Sequence, residues 1–166
     1  MFRGTVEDTY ISNNERDANF NGRDRLKIGG TPHYRSLIKI TGLPELEAGD
    51  VVIESTMNMC RYNTSEAYGK EIDVYRVIKV WDANTVTWNS FNPDSAQSVA
   101  LERVESLAAT QRQNYFNTFD ITRLVKEWYA NPEQNHGMIL KSWNEARNWY
   151  TEYRSSSVPV SYTHLT

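Results

Sequence analysis

Carboxylates, amides and cations are the side chains here with chemistry to offer, and their spacing narrows what that chemistry is. Asp17-x-Asn19-x-Asn21-Gly22 sets oxygen-bearing side chains at alternate positions ahead of a glycine, as the first half of an EF-hand loop does. Asp24 follows closely enough to add a further ligand, which makes Asp17, Asn19, Asn21 and Asp24 the candidate calcium site. Ile28 stands where that loop would need its bidentate Glu, and Asn and Asp favour tight turns without any metal. A plain turn is therefore the first expectation and calcium the alternative. Glycoside hydrolysis would need two carboxylates facing one cleft. Asp82, Asp120, Glu127 and Glu145 are available, but each falls in a turn, cap or helix position with a local explanation. His33, His136 and His164 show no HExxH spacing, and the chain has no Gly-rich phosphate loop and no GxSxG elbow. Catalysis is not expected.

Binding an extended sugar chain makes different demands: flat apolar rings for pyranose C–H faces, and planar or charged groups for hydroxyls and carboxylates. Trp143, Trp149, Tyr150 and Tyr153 lie in the polar stretch SWNEARNWYTEYR and are the platform candidates. Arg35, Lys39, Arg76 and Lys141 all fall on expected strands. Converging on one sheet face, they would make a groove for an anionic chain such as a polyuronate. Scattered surface salt bridges are the ordinary alternative. The candidate ligand-binding residues are thus Arg35, Lys39, Arg76, Lys141 and Trp149.

The elements that must position these groups are mostly strands. Short β patterns are expected at 8–11, at 26–28 ahead of Gly29-Gly30, and at 34–40, with the polar loop SNNERDANFNGRD between the first two. Residues 51–62 alternate, placing Val51, Ile53, Met57 and Met59 on a core face. Another strand is expected over 72–81, a short β-prone segment over 85–88, and at most one weak strand over 101–112. The period changes at 115–141. After a strand at 115–120, Ile121, Leu124, Val125 and Trp128 recur at helical spacing, with Asp120 or Thr122 to cap the first turn and Asn131-Pro132 to stop it. Gly137-Met138-Ile139-Leu140 then reads as a buried strand. Many short strands with one helix, at about 121–130, imply an all-β sandwich of two antiparallel sheets. Trp81, Trp88 and Trp128, with their apolar neighbours, are assigned to its core.

Composition agrees. The chain has 166 residues, enough for one domain with a sizeable core, and a formal net charge of −3 with both signs spread along it. A nucleic-acid protein would need a clustered basic face. No apolar run is long enough for a membrane span, and Cys60, the only cysteine, has no internal disulfide partner. Aromatics are high at 12%, which suits large core plugs or a surface that stacks on sugars.

The blocks DTYI, NFNGRDRLKIG, RSLIKI, VYRVIKVWDANTVTWN, FDITRLVKEW and HGMILK, in that order over roughly residues 8–156, resemble the DNRLRE domains classed with carbohydrate-binding module family 96. WDANTVTWN is the strongest single match. The resemblance implies a jelly-roll-like β-sandwich, in secreted or surface proteins of bacteria. Such domains stand beside polysaccharide-degrading catalytic domains or within large wall-associated repeat proteins, and alginate is the known type of ligand. Two functions follow from it as expectations. One is a non-catalytic polysaccharide-binding module that holds neighbouring domains of its polypeptide on their substrate. The other is a structural or adhesive spacer in a wall-associated protein.

The C-terminus departs from the family pattern. After TEYRSSS a loop and a closing strand Pro-x-Leu-x-Val-x-Tyr are expected, but the chain reads VPVSYTHLT. VSYTHLT resembles one reading frame of a transposon-end sequencing adaptor. The expected organisation is therefore one sandwich domain over 1–157 and a non-native tail over 158–166. A native strand is the alternative, since Val160 and Tyr162 alternate with Ser161 and Thr163.

Overall fold

A computed structural model describes residues 5–64, 71–108, 115–156 and 162–165. Its strands are β1 (Thr5–Ser12), β2 (Arg25–Gly30), β3 (Tyr34–Thr41), β4 (Ser55–Thr64), β5 (Glu71–Val77), β6 (Val99–Ala108), β7 (Phe116–Asp120), β8 (Met138–Ser142), β9 (Trp149–Arg154) and β10 (Tyr162–Leu165). A helical turn, α1 (Trp88–Phe91), and one longer helix, α2 (Thr122–Ala130), complete the regular structure with a 3-10 turn at Pro132–Gln134. Hydrogen bonding links the strands in the order β10-β4-β9-β2-β3-β8-β5-β6, with β1 on β3 and β7 on β4. Every pairing is antiparallel. The protein is an all-β fold, a curled antiparallel sheet with one short helix lying against it.

Curling encloses the core. Leu26 and Ile28 of β2, Ile38 and Ile40 of β3, Met57 and Met59 of β4, Ile72 and Val74 of β5 and Met138 and Leu140 of β8 alternate inward into one buried cluster. The stripe expected of the helix is there too. Ile121, Leu124 and Val125 are fully buried and Trp128 is 2% exposed, so α2 packs against the core as a plug. Of the two caps expected, Asp120 serves the first turn, from one residue before the N-cap position. Ile121 occupies the N-cap position and makes no side-chain cap bond, while the Asp120 carboxylate accepts the Thr122 N–H at 3.0 Å and the Thr122 hydroxyl at 2.6 Å. Those hydrogen bonds hold the Asp120 carboxyl below its usual pKa, the one from the hydroxyl most of all. At the far end, Gly137 sits at φ +78°, where a Cβ would run into the Ile38 carbonyl, so β8 enters the sheet at a position that demands glycine.

A second buried cluster lies on the outer face of β3, β8 and β5. Leu37, Ile139 and Val77 point away from the main core and are covered by Trp81, Val86, Trp88 and Phe91 from the long connection after β5. Four expectations are corrected here. Residues 51–54 are not strand, and Val51 and Ile53 are 75% and 76% exposed. The reason is pairing: β7 ends at Asp120, opposite Thr56, and turns into the helix, so it offers nothing earlier for β4 to pair with. Likewise β5 stops at Val77 and not at Trp81, because β8 begins at Met138, opposite Arg76. Residues 85–88 lead into a helical turn, since Thr87 and Ser90 form a reciprocal capping box around α1. The weak strand expected within 101–112 is the full-length β6, with residues 109–112 outside the described segments. Of the tail, Tyr162–Leu165 pairs with Ser55–Asn58 of β4, and residues 157–161 and 166 lie outside the described segments.

Candidate functional site

Strand parity decides which of the expected cations meet. On β3, Arg35, Leu37 and Lys39 alternate outward, and Ile139 and Lys141 of β8 share that outer face with Tyr75 of β5, as the pairings Leu37–Ile139 and Tyr75–Ile139 require. Arg76 is out of phase and faces the helix side, where its Nε lies 3.5 Å from Glu127 Oε2. It cannot join the other three. Lys39 reaches Glu7 at 3.2 Å and lies over the Trp81 ring at 5.5 Å.

Arg35 is not a surface cation. It is 4% exposed, its guanidinium grips both oxygens of Glu145 at 2.9 and 2.7 Å, and its third nitrogen lies 2.9 Å from Asp94. The group also stacks over the Trp88 ring at 4.9 Å. Burial alone would weaken its charge, but the Glu145 and Asp94 carboxylates outweigh it and raise its pKa. Lys141 lies over the Tyr75 ring at 5.1 Å, with no carboxylate in ion-pair range among the described residues. The four-cation groove expected from the sequence is therefore not assembled. Only Arg35 and Lys141 line a common cavity.

The aromatic expectations divide in the same way. Trp149 is 1% exposed and Tyr153 is fully buried, so both are core residues and neither presents a ring face to a ligand. The reason is again parity: Trp149 and Tyr153 of β9 point inward with Leu26 of β2, while Tyr150 and Arg154 point outward. Tyr153 donates its hydroxyl to Asn117 at 2.7 Å, and burial raises its pKa strongly. Trp143 is 49% exposed.

The loop expected to turn or to hold calcium is used as a clamp. Asn19 donates its amide to the carbonyls of Ala83 and Val86 at 3.0 and 2.8 Å, and its oxygen accepts the Asn21 N–H. Asn21 donates to Asn84, and Asp17 accepts from Asn89. Asp24 pairs with Arg25 at 3.2 Å. These contacts point the four side chains at the 82–89 segment and at Arg25, not at one another. No group of three or more acidic, histidine or cysteine side chains suited to a metal occurs among the described residues. The carboxylates weighed for catalysis are similarly occupied: Asp82 accepts the Asn84 N–H, Asp120 holds Thr122, Glu127 faces Arg76 and Arg123, and Glu145 holds Arg35.

A richer arrangement lies on β2 and β9, the latter carrying the platform candidates Trp149, Tyr150 and Tyr153, with cations that were not among the expected ligand residues. Arg25, Lys27 and Gly29 alternate outward on β2 opposite Arg154, Glu152 and Tyr150 of β9. The Lys27 ammonium sits 5.2 Å from the Tyr34 ring centre and 5.8 Å from that of Tyr10. Tyr10 stacks on Phe20 at 4.3 Å, with the Arg23 guanidinium over Phe20 at 5.9 Å. Further along, the guanidinium groups of Arg25 and Arg154 lie 4.2 and 5.0 Å from the ring centre of Tyr62 of β4. Glu152, 4% exposed, anchors Arg25 at 3.1 Å. The Tyr34 hydroxyl is held above its usual pKa, first by burial and then by the negative charges of Glu15 and Glu152. The result is a set of half-buried tyrosines, Tyr34, Tyr62 and Tyr150, with cations beside them and the buried Tyr10–Phe20 stack underneath. Arg23, Arg25, Lys27 and Arg154 stand there against Asp24, Glu15 and Glu152. The i, i+2 alternation of Arg25 with Lys27, and of Tyr150, Glu152 and Arg154, is legible in the sequence. That the two strands are neighbours is not.

Among the described residues no helix is long and apolar enough to cross a membrane. Comparison with protein families finds that the model of carbohydrate-binding module family 96 matches residues 2–162. None of the curated proteins matches the chain.

Proposed function

The chain belongs to carbohydrate-binding module family 96, a family of non-catalytic binding domains, and from that premise we propose that it binds an anionic polysaccharide, such as alginate, along the row formed by β2, β9 and β4. The observation that supports this reading is the pairing of half-buried rings with cations, Lys27 beside Tyr34 and both Arg25 and Arg154 beside Tyr62. Pyranose C–H faces pack on such rings, and carboxylates spaced along a polyuronate meet the cations. A row running across strands matches an extended chain better than a closed cavity would. In this reading the domain is part of a larger secreted or surface protein and holds its neighbouring domains on the polymer. The curled sheet is then read as a jelly-roll-like sandwich. Its two halves meet at β2 and β3 through a single pair, Gly29–Tyr34, and both line one core.

Affinity electrophoresis tests the proposal. The domain is expected to be retarded in gels containing alginate or pectate and not in gels containing neutral glucans. Retardation should weaken between low and physiological salt, because exposed charges are screened over about 8 Å at 0.15 M. Lys27→Ala and Tyr150→Ala should each reduce it while leaving the thermal midpoint within a few degrees of wild type. Equal retardation on neutral glucans would remove the anionic specificity. No retardation on any polyuronate, with the protein folded, would favour the structural spacer.

A further inference from the structure

The cavity that Arg35 and Lys141 share lies apart from the row and uses none of its side chains. Its floor is β8 and β5, where Ile139 pairs with Tyr75, and its far wall is the start of β6, from which Leu101 projects with 87% of its surface exposed. The segment after α1 closes the remaining side with Asp94 and Ala96. The space measures about 220 Å³, room for one sugar ring and not for a chain.

The polar groups around it are unequally committed. Arg35 has five N–H donors, and three of them are used on Glu145 and Asp94. Asp94 keeps a 69% exposed carboxylate at the rim, joined to Arg35 through one oxygen. Asp73 stands opposite Lys141 in register, but its carboxylate is taken by the Ser106 hydroxyl at 2.7 Å and faces Arg103 at 3.7 Å. Lys141 is thus the cation at this cavity with no carboxylate in ion-pair range among the described residues. Vicinal hydroxyls suit an exposed carboxylate held in place by an arginine, as Asp94 is, and an ammonium beside it suits a carboxylate.

We infer that this cavity is a second, separate saccharide subsite, which takes a single uronic acid residue. The acid's carboxylate lies on Lys141, its hydroxyls on Asp94, which Arg35 holds in place, and its apolar face against Leu101. A site of that size accepts a free uronic acid or the end residue of an acidic chain. It complements a row that holds the middle of such a chain. The inference extends saccharide binding to another face and does not depend on the row being where the polymer lies.

Titration of the full ¹⁵N-labelled chain with sodium D-glucuronate, followed by NMR, tests it. Saturable shifts are expected at the amides of Ser95, Leu101 and Lys141, with sodium acetate and methyl α-D-glucopyranoside each producing much smaller ones. Lys141→Gln should weaken glucuronate binding about tenfold or more, the loss of one charge-assisted hydrogen bond. Ala96→Trp, at an exposed rim position, should block it. Lys27→Ala should leave these shifts unchanged while it lowers retardation by alginate, so the two sites fail separately. Absence of shifts at the cavity, equal shifts with acetate or the neutral glycoside, or shifts indifferent to both cavity variants would each overturn the subsite.

Discussion

Arg35→Ala is the substitution on which the sequence and the structure disagree most sharply. Read from the sequence, Arg35 is a strand cation whose loss should cost binding and leave the fold alone. In the structure, its removal strands Glu145, whose side chain is only 15% exposed, and uncovers one face of the buried Trp88. Removing one partner of a buried ion pair costs about 3–5 kcal/mol, and the residual exposure of Glu145 places this case near the lower end. The bridge to Asp94 adds little, since Asp94 is 69% exposed, and the stacking on Trp88 adds at most about 1 kcal/mol. A total of about 3–4 kcal/mol, at roughly 2–4 °C per kcal/mol for a domain of this size, lowers the thermal midpoint by about 6–16 °C. Urea unfolding monitored by tryptophan fluorescence would measure the loss directly. The double variant Arg35→Met/Glu145→Gln should recover about half of it, because no orphaned charge remains. A single variant that melts within about 3 °C of wild type would refute the assignment. So would a double variant no more stable than Arg35→Ala.

Two further perturbations act on other parts of the fold. Trp128→Ala removes the largest side chain of the α2 plug, 2% exposed among Leu124, Val125 and Phe119. It should cost about 3–5 kcal/mol, and an unchanged melting midpoint would mean that the helix is not packed as described. Asp8 has its carboxyl raised above the usual range, mainly by burial and in part offset by the Ser156 N–H at 2.7 Å. A folded-state pKa above the unfolded one favours the fold fully below the unfolded value, and that advantage disappears as pH rises through the folded value. Asp8→Asn keeps an acceptor for Ser156 and removes the charge. It should therefore be at least as stable as wild type at pH 7, with the difference shrinking towards pH 4. Urea midpoints across that range check it, and a variant that loses more stability at pH 7 than at pH 4 would contradict the sign.

What proved legible in advance was whatever depends on neighbours along the chain. The helix stripe from Ile121 to Trp128, its stop at Asn131-Pro132, and the buried strand after Gly137 were all visible, because helical period and proline sterics act over a few residues. Core assignment of Trp81, Trp88 and Trp128 held for a similar reason, each being flanked by apolar residues with the right spacing. Strand ends were less legible. Val51 and Val80 look as β-prone as Met57 or Val74, but a strand continues only while a partner runs beside it, and the partners β7 and β8 give out first. The capping box at Thr87 and Ser90 was present in the sequence, and the β-propensity of its neighbours hid it.

For the candidate site the same division is sharper. Composition and residue order by themselves determined that the chain is an all-β binding domain of a recognisable family, since hydrophobic period, turn residues and the order of blocks are properties of the string. Only the tertiary structure decided which polar groups a ligand can meet. Arg35 and Lys27 are both strand cations. The packing of residues 88–94 and Glu145 over one made it a buried tie, while the turn from β2 into β3 left the other half-exposed beside the Tyr34 ring. Trp149 and Tyr150 are adjacent and both aromatic, and the two-residue period of β9 sent one into the core and the other outward. Availability to a ligand depends on what covers a side chain, and the residues that cover Arg35 are far from it in the chain, Glu145 by 110 positions.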